Sequence, residues 1–134
     1  MANNLSIFDI SGRAMSAQLV RLNTTASNLA NANSVSTTKE GAFRALKPVF
    51  KTVSGGEGIA TVQVSQVVAS QTDPTKRHDP GNPLADKNGD VWDAGVDQAG
   101  EMVEMMETAR QYQNNVQVLQ TAKSLTLDTL RLEK

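Results

Sequence analysis

Residues 5–33 read LSIFDISGRAMSAQLVRLNTTASNLANAN, and within them Phe8, Gly12, Met15, Leu19, Leu22, Ala26 and Leu29 alternate spacings of four and three. That alternation lines one stripe of a helix and predicts a single helix over residues 5–33. At 1.5 Å per residue it would be roughly 43 Å long, longer than a small domain is wide, so it should project. Its other face carries Thr24, Thr25, Ser27, Asn28, Asn31 and Asn33, side chains that compete for backbone hydrogen bonds and weaken a helix on its own. Only Asp9, Arg13 and Arg21 are charged before Lys39, whereas a solvated helical face normally carries several charges. Something other than water should cover that face, with the Asn and Thr side chains hydrogen-bonded between subunits.

The far end of the chain repeats the pattern. Met102, Met105, Ala109, Tyr112, Val116, Leu119, Lys123, Thr126 and Leu130 again alternate three and four, with Val118, Ala122, Leu125 and Leu132 as a neighbouring stripe. A helix so widely apolar needs more than one partner. Between the helices Val49, Val53, Val62, Val64, Val67 and Val68 sit in short alternations that predict strands. Gly55-Gly56-Glu57-Gly58 reads as a hairpin loop and Asn88-Gly89 as a type I′ turn. Pro74, Pro80, Gly81 and Pro83 predict an irregular loop over 73–83. The fold class is α+β: an N-terminal helical segment over 1–36, a small β-rich middle over 37–96 and a C-terminal helical segment over 97–134.

The 134 residues suit one core with helical arms. With 13 basic against 14 acidic residues the chain has no field to draw it onto nucleic acid or an anionic membrane. Cysteine is absent, which excludes disulfides, cysteine-ligated zinc and thiol nucleophiles. The first twelve residues lack Lys and Arg and do not form a cleavable secretory signal. No stretch approaches the ~20 consecutive apolar residues of a membrane-spanning helix, so no membrane insertion is expected.

Chemistry has few places to reside. His78 is the only histidine and stands among Lys76, Arg77 and Asp79; a solvated loop histidine accounts for it better than a positioned base. Asp86, Asn88 and Asp90 alternate like a calcium loop, but Gly89 falls at the fourth position where the EF-hand needs glycine at the sixth, so a turn is the better reading. Glu101, Glu104 and Glu107 could pair carboxylates, yet more simply complement the positive end of the helix that starts there. The glycines at 55, 56 and 58 precede no helix with Lys-Ser/Thr, so they cradle no phosphate. Met102, Met105 and Met106 suit an adaptable interface. No catalytic residue, cofactor or metal site is expected, and assembly is favoured over catalysis.

The tract Thr25-Ala26-Ser27-Asn28-Leu29-Ala30-Asn31-Ala32-Asn33-Ser34 resembles the amino-terminal signature shared by flagellar rod and hook proteins. Ala109-Arg110-Gln111-Tyr112-Gln113-Asn114-Asn115-Val116, followed by Leu119, Ala122-Lys123 and Leu130, resembles their carboxy-terminal helix. The opening Ile7-Phe8-Asp9-Ile10-Ser11-Gly12, the loop His78-Asp79-Pro80-Gly81-Asn82-Pro83 and the total length are similar to the C-type proximal rod subgroup of that family. Departures are local: His78 where that subgroup generally has Tyr, Ala94-Gly95 where it tends to Pro-Asn, and Gln98-Ala99 where two apolar residues are usual.

The resemblance implies a structural subunit of the periplasmic rod of the flagellar basal body, exported without a cleaved signal through the flagellum's own type III apparatus. Its terminal helices would pack, on assembly, as an antiparallel coiled coil around the export channel, and the rod would transmit torque. Implied partners are copies of itself, B-type proximal and distal rod subunits, and the membrane-ring and adaptor proteins at the rod base. The expected assembly interface comprises Phe8, Met15, Leu19, Leu22, Asn28, Leu29 and Asn31 on the first helix and Met105, Tyr112, Val116, Leu119 and Leu130 on the second. Competing readings are a B-type rod subunit, a soluble coiled-coil export adaptor or chaperone, which leaves the uncharged Asn/Thr face unexplained, and a cell-wall enzyme, which lacks a site.

Overall fold

A computed structural model describes residues 6–56 and 58–133. Helix α1 runs Ile7–Ala30, β1 is Val35–Ser36, β2 Leu46–Gly56, β3 Ile59–Ala69, β4 Thr75–His78, β5 Asp90–Asp93, and α2 Gln98–Leu132. The α+β class, with a long helix at each end and strands between, is therefore as expected. Leu5, where the first helix was expected to begin, and Glu57 of the glycine loop lie outside the described residues.

Helix α1 is started by a reciprocal cap: the Ser6 hydroxyl accepts from the Asp9 N–H at 3.1 Å while the Asp9 carboxylate accepts from the Ser6 N–H at 3.1 Å. It stops at Ala30, short of the expected residue 33. The Asn31 side-chain amide and backbone N–H both donate to the Ser27 carbonyl, and the Ser34 hydroxyl donates to the Asn31 carbonyl, so side chains take over the last turn. Helix α2 is capped by the Asp97 carboxylate, which accepts from the Gly100 N–H at 3.2 Å. Its 35 residues exceed the 24 of α1, a difference of roughly 16 Å in length.

The two helices run antiparallel. Arg21, late in α1, meets Glu104 early in α2, whereas Ile7 at the start of α1 lies beside Val118, Ala122 and Leu125. Strands β2 and β3 form an antiparallel hairpin across which α1 packs, and Gly56 and Gly58 hold φ of 86° and 78° at its tip, as the glycine-rich loop requires. A second sheet orders β1-β5-β4, all antiparallel.

Two expectations about the middle region are corrected. The segment 73–83 is not wholly irregular, because Thr75–His78 pairs with β5 as an edge strand between Pro74 and Pro80, where no proline interrupts it. Asn88-Gly89 is not a two-residue hairpin turn between strands. The Gly89 N–H closes a turn on the Asp86 carbonyl, with Lys87 and Asn88 central and Gly89 following at φ 79°, inside the longer β4–β5 connection.

Helix α1 is tied to the hairpin by Asn28. Its side-chain amide donates to the Leu46 carbonyl at 2.9 Å and accepts from the Leu46 N–H at 2.7 Å, imitating a neighbouring strand at the start of β2. Replacing Asn28 with Leu should therefore strand both backbone groups and lower unfolding free energy by about 2 kcal/mol. Asn31→Leu, which gives up only a bond within its own helix, should cost about 1 kcal/mol or less. Urea titrations of the two variants against the parent check the order.

Candidate functional site

The helix stripes predict which residues should be apolar neighbours, and the structure buries a different face. The buried residues of α1 are Ser11, Ala17, Thr25 and Asn28, and those of α2 are Glu101, Thr108 and Ala122. Polar contacts join the helices around Gln18 and Arg21, alongside the apolar contact of Ile7 with Val118, Ala122 and Leu125. The Gln18 amide donates to Gln111 Oε1 at 2.8 Å, the Arg21 guanidinium reaches the same oxygen at 3.3 Å and pairs with the Glu104 carboxylate, and the Thr108 hydroxyl bonds back to the Glu104 carbonyl. Lys47 of β2 donates to Glu101 Oε1 at 2.9 Å. Arg21 and Lys47 thus answer Glu104 and Glu101 from α1 and from the hairpin.

That arrangement revises two expectations. Glu101 and Glu104 do more than complement the helix dipole, since each has a cation of another element on it; Glu107 alone stays exposed, accepting from the Gln111 side chain at 3.2 Å. Asn28 and Asn31 also find partners inside the chain, Asn28 on Leu46 and Asn31 on Ser27, and the Thr24 hydroxyl donates to the Arg21 carbonyl. Intersubunit partners are not needed to satisfy these groups. Arg21, Gln18, Gln111 and Lys47 were missed in the sequence. The one signal was the scarcity of charge on the first helix, which leaves Arg21 as one of only three charged residues there.

Three of the ten apolar stripe residues expected at the interface are exposed and seven are partly covered. Phe8, Leu19 and Leu130 are exposed, Met15, Leu22, Leu29, Met105, Tyr112, Val116 and Leu119 are half-buried, and none is buried. Met106 is 64% exposed, Leu125 63% and Leu132 88%. Beyond Leu125, which lies beside Ile7, α2 continues past the first described turn of α1 with Leu127, Leu130 and Leu132 uncovered.

The remaining candidates for chemistry resolve into structure. His78 belongs to β4 rather than to a loop, and its Nδ1 lies 2.9 Å from Asp90 Oδ1 across the strand pair, so it is solvated but not unpartnered. That contact, helped by Lys76, holds the Asp90 carboxyl below its ordinary range. Asp86 Oδ1 accepts the N–H groups of Asn88 and Asp90 at 2.8 and 3.0 Å, which makes it the organiser of a turn. Among the described residues no group of His, Asp or Glu could hold a metal ion, and no helix is long and apolar enough to cross a membrane.

Comparison with known proteins gives a uniform result. Residues 8–36 match the family described as flagella basal body rod protein, and residues 87–132 match the C-terminal region of the flagellar basal body rod FlgEFG proteins. The chain is 49% identical over 130 residues to the flagellar basal-body rod protein FlgC of Escherichia coli O157:H7, with 96% of each chain covered. It is 47% identical over 129 residues to that of Salmonella typhimurium, again with 96% of each covered, and 35% identical to that of Aquifex aeolicus with 93% of each covered.

The seam has a pH signature. The Arg21 guanidinium hydrogen-bonded to Glu104 holds that carboxyl below its ordinary value, as the Ser6 N–H does for Asp9. A carboxyl depressed in the folded state contributes stability that is complete above its unfolded value, about 4.3 for Glu, and is lost as pH falls through the folded value. The urea midpoint should therefore fall between pH 6 and pH 3. Arg21→Met should lower the midpoint at pH 6 and make the fall shallower, since Glu104 then titrates near its ordinary value.

Proposed function

The chain belongs to the flagellar basal-body rod protein family, and we propose that it builds the proximal rod by packing the outward apolar faces of α1 and α2 against neighbouring subunits. The family is structural and not enzymatic. One observation carries the proposal: the helices join through polar side chains of the chain itself and leave Phe8, Leu19, Met106, Leu125 and Leu130 to solvent. Burying one such leucine in a neighbour would contribute about 1.5–3 kcal/mol, so a ring of them gives a lone chain a strong reason to polymerise. The alternation of three and four along both stripes suits a supercoil of several helices, with this antiparallel pair as its unit.

In that setting α1 and α2 line the inside of a periplasmic rod around the export channel, the strands lie outside them, and the rod transmits torque. Partners are other copies, the B-type and distal rod subunits, and the ring and adaptor proteins at the base. The route there is the flagellum's own export apparatus. Phe8, Met15, Leu19, Leu22, Leu29, Met105, Tyr112, Val116, Leu119 and Leu130 form the interface, and Asn28 and Asn31 shape it from within by fixing the end of α1.

Leu130→Asp separates assembly from folding. Leu130 lies on the part of α2 that extends past Ile7, so the purified variant should unfold within about 0.5 kcal/mol of the parent, as exposed substitutions do. In a complemented strain it should leave swimming and rod-bearing basal bodies absent under electron microscopy, because a carboxylate buried without a partner costs several kcal/mol, roughly. A swimming Leu130→Asp strain would remove that end of α2 from the interface.

A further inference from the structure

We propose that the charged cluster of Arg21, Lys47, Glu101 and Glu104 is an orienting clasp, which keeps the apolar stripes of α1 and α2 from closing on each other and so leaves them available to neighbouring subunits. The proposal rests on the assembly role given to those stripes but concerns the single chain.

The cluster joins three elements: α1 through Arg21, β2 through Lys47 and α2 through Glu101 and Glu104. Its charges balance, two of each sign. Glu101 is only 3% exposed, and its Oε2 is buried without a hydrogen-bond partner; Oε1 of Gln18, in the same seam, is likewise unpartnered. Such a cluster is a poor way to gain stability. Glu101 is the buried member, while Arg21 and Glu104 are partly exposed and Lys47 about half exposed, and taking one carboxylate out of water with a half-satisfied set of partners costs more than it returns. What the cluster does supply is a preference for one arrangement, because any other leaves the buried Glu101 carboxylate without its cation.

The competing arrangement is visible in the sequence. The stripe of Phe8, Met15, Leu19, Leu22 and Leu29 and the stripe of Met105, Tyr112, Val116 and Leu119 have the spacing of an ordinary two-helix seam. Counting 100° per residue, the stripe sits roughly a quarter to a third of a turn from the buried face on α1 and about a sixth of a turn from it on α2. Rotation by those amounts would bring the stripes together and take the assembly surface out of use. It would also pull Arg21 off Glu104, Glu101 off Lys47 and Asn28 off Leu46, which is the cost that holds the helices as they are.

The chain lacks cysteine, so a single introduced thiol reports on the stripe. Leu19 is 44% exposed, and Leu19→Cys is made in the parent and in an Arg21→Leu/Glu101→Leu/Glu104→Leu background; both purified chains react with a maleimide at low protein concentration. With the clasp removed, the helices should turn inward and the thiol at position 19 should react about tenfold more slowly, at unchanged helicity by circular dichroism. An unchanged rate in a helical, monomeric triple variant would overturn the clasp. If the triple variant loses helicity, Glu101→Gln/Glu104→Gln, which keeps volume and removes the charges, replaces it. Slowing of about threefold or more then supports the clasp and an unchanged rate overturns it. Neither readout depends on rods forming, so a failure of the assembly role would appear only in motility.

Discussion

The start of β2 is where the chain's three parts are made to agree. Leu46 gives both backbone groups to Asn28 of α1, and the next residue, Lys47, gives its ammonium to Glu101 of α2. Two consecutive residues therefore locate the end of one long helix and the beginning of the other relative to the hairpin. Asn28 is 1% exposed, so its amide has no water to fall back on and the bidentate geometry is obligatory. Arg21 lies two helical turns before Asn28, and Glu104 one turn after Glu101, so the ion pair they form repeats the constraint further along the antiparallel seam.

That polar solution follows from how little apolar volume is enclosed. The buried apolar residues among those described are Ala17, Ala42, Ala45, Val91, Ala94 and Ala122. Alanine side chains contribute little transfer free energy each, so close approach and hydrogen bonding must do what large side chains do elsewhere. Gln18 reaches Gln111 across the helix pair, while large apolar residues such as Phe8, Leu19 and Met102 remain exposed. In the proposed assembly, contacts between copies would bury the apolar surface that the single chain leaves exposed.

Much of this was legible in the sequence, and what was not has a common cause. The period of the two stripes located both helices, and the glycines before Ile59 located the hairpin, because both signals are local. The end of α1 was harder: Asn31 sits in a run that continues the helical pattern, and the helix closes there on side-chain bonds from Asn31 to Ser27 and from Ser34 to Asn31. Strand β4 was hidden because four residues between prolines show nothing of strand character until Asp90–Asp93 comes alongside. The polar seam was hidden more deeply. A stripe analysis assigns the apolar face to the interior on the premise that water covers the rest. Here that premise fails, since Thr25, Asn28, Glu101 and Thr108 are inside and Leu19 and Met102 are outside. The uncharged face of the first helix did announce that water would not cover it, but nothing local distinguished a neighbouring subunit from the chain's own hairpin as the cover.

The same inversion sets the roles of the terminal helices. If the apolar stripes formed the seam within the chain, the surface left for assembly would be amides and hydroxyls, which bind water almost as well as they bind a neighbour and give little net energy per contact. With amides and ion pairs inside, the internal seam is specific but weak, and the external one is strong but permissive. A rod subunit needs both properties. Specific internal contacts fix the direction and relative height of α1 and α2, so every copy presents the same outline. In the proposed assembly, apolar contacts through Met102, Met105 and Met106, whose unbranched side chains repack readily, would let one surface meet neighbours that are not identical. The tolerance that such a junction requires is thus placed on the outside of the helix pair, where it does not loosen the geometry within.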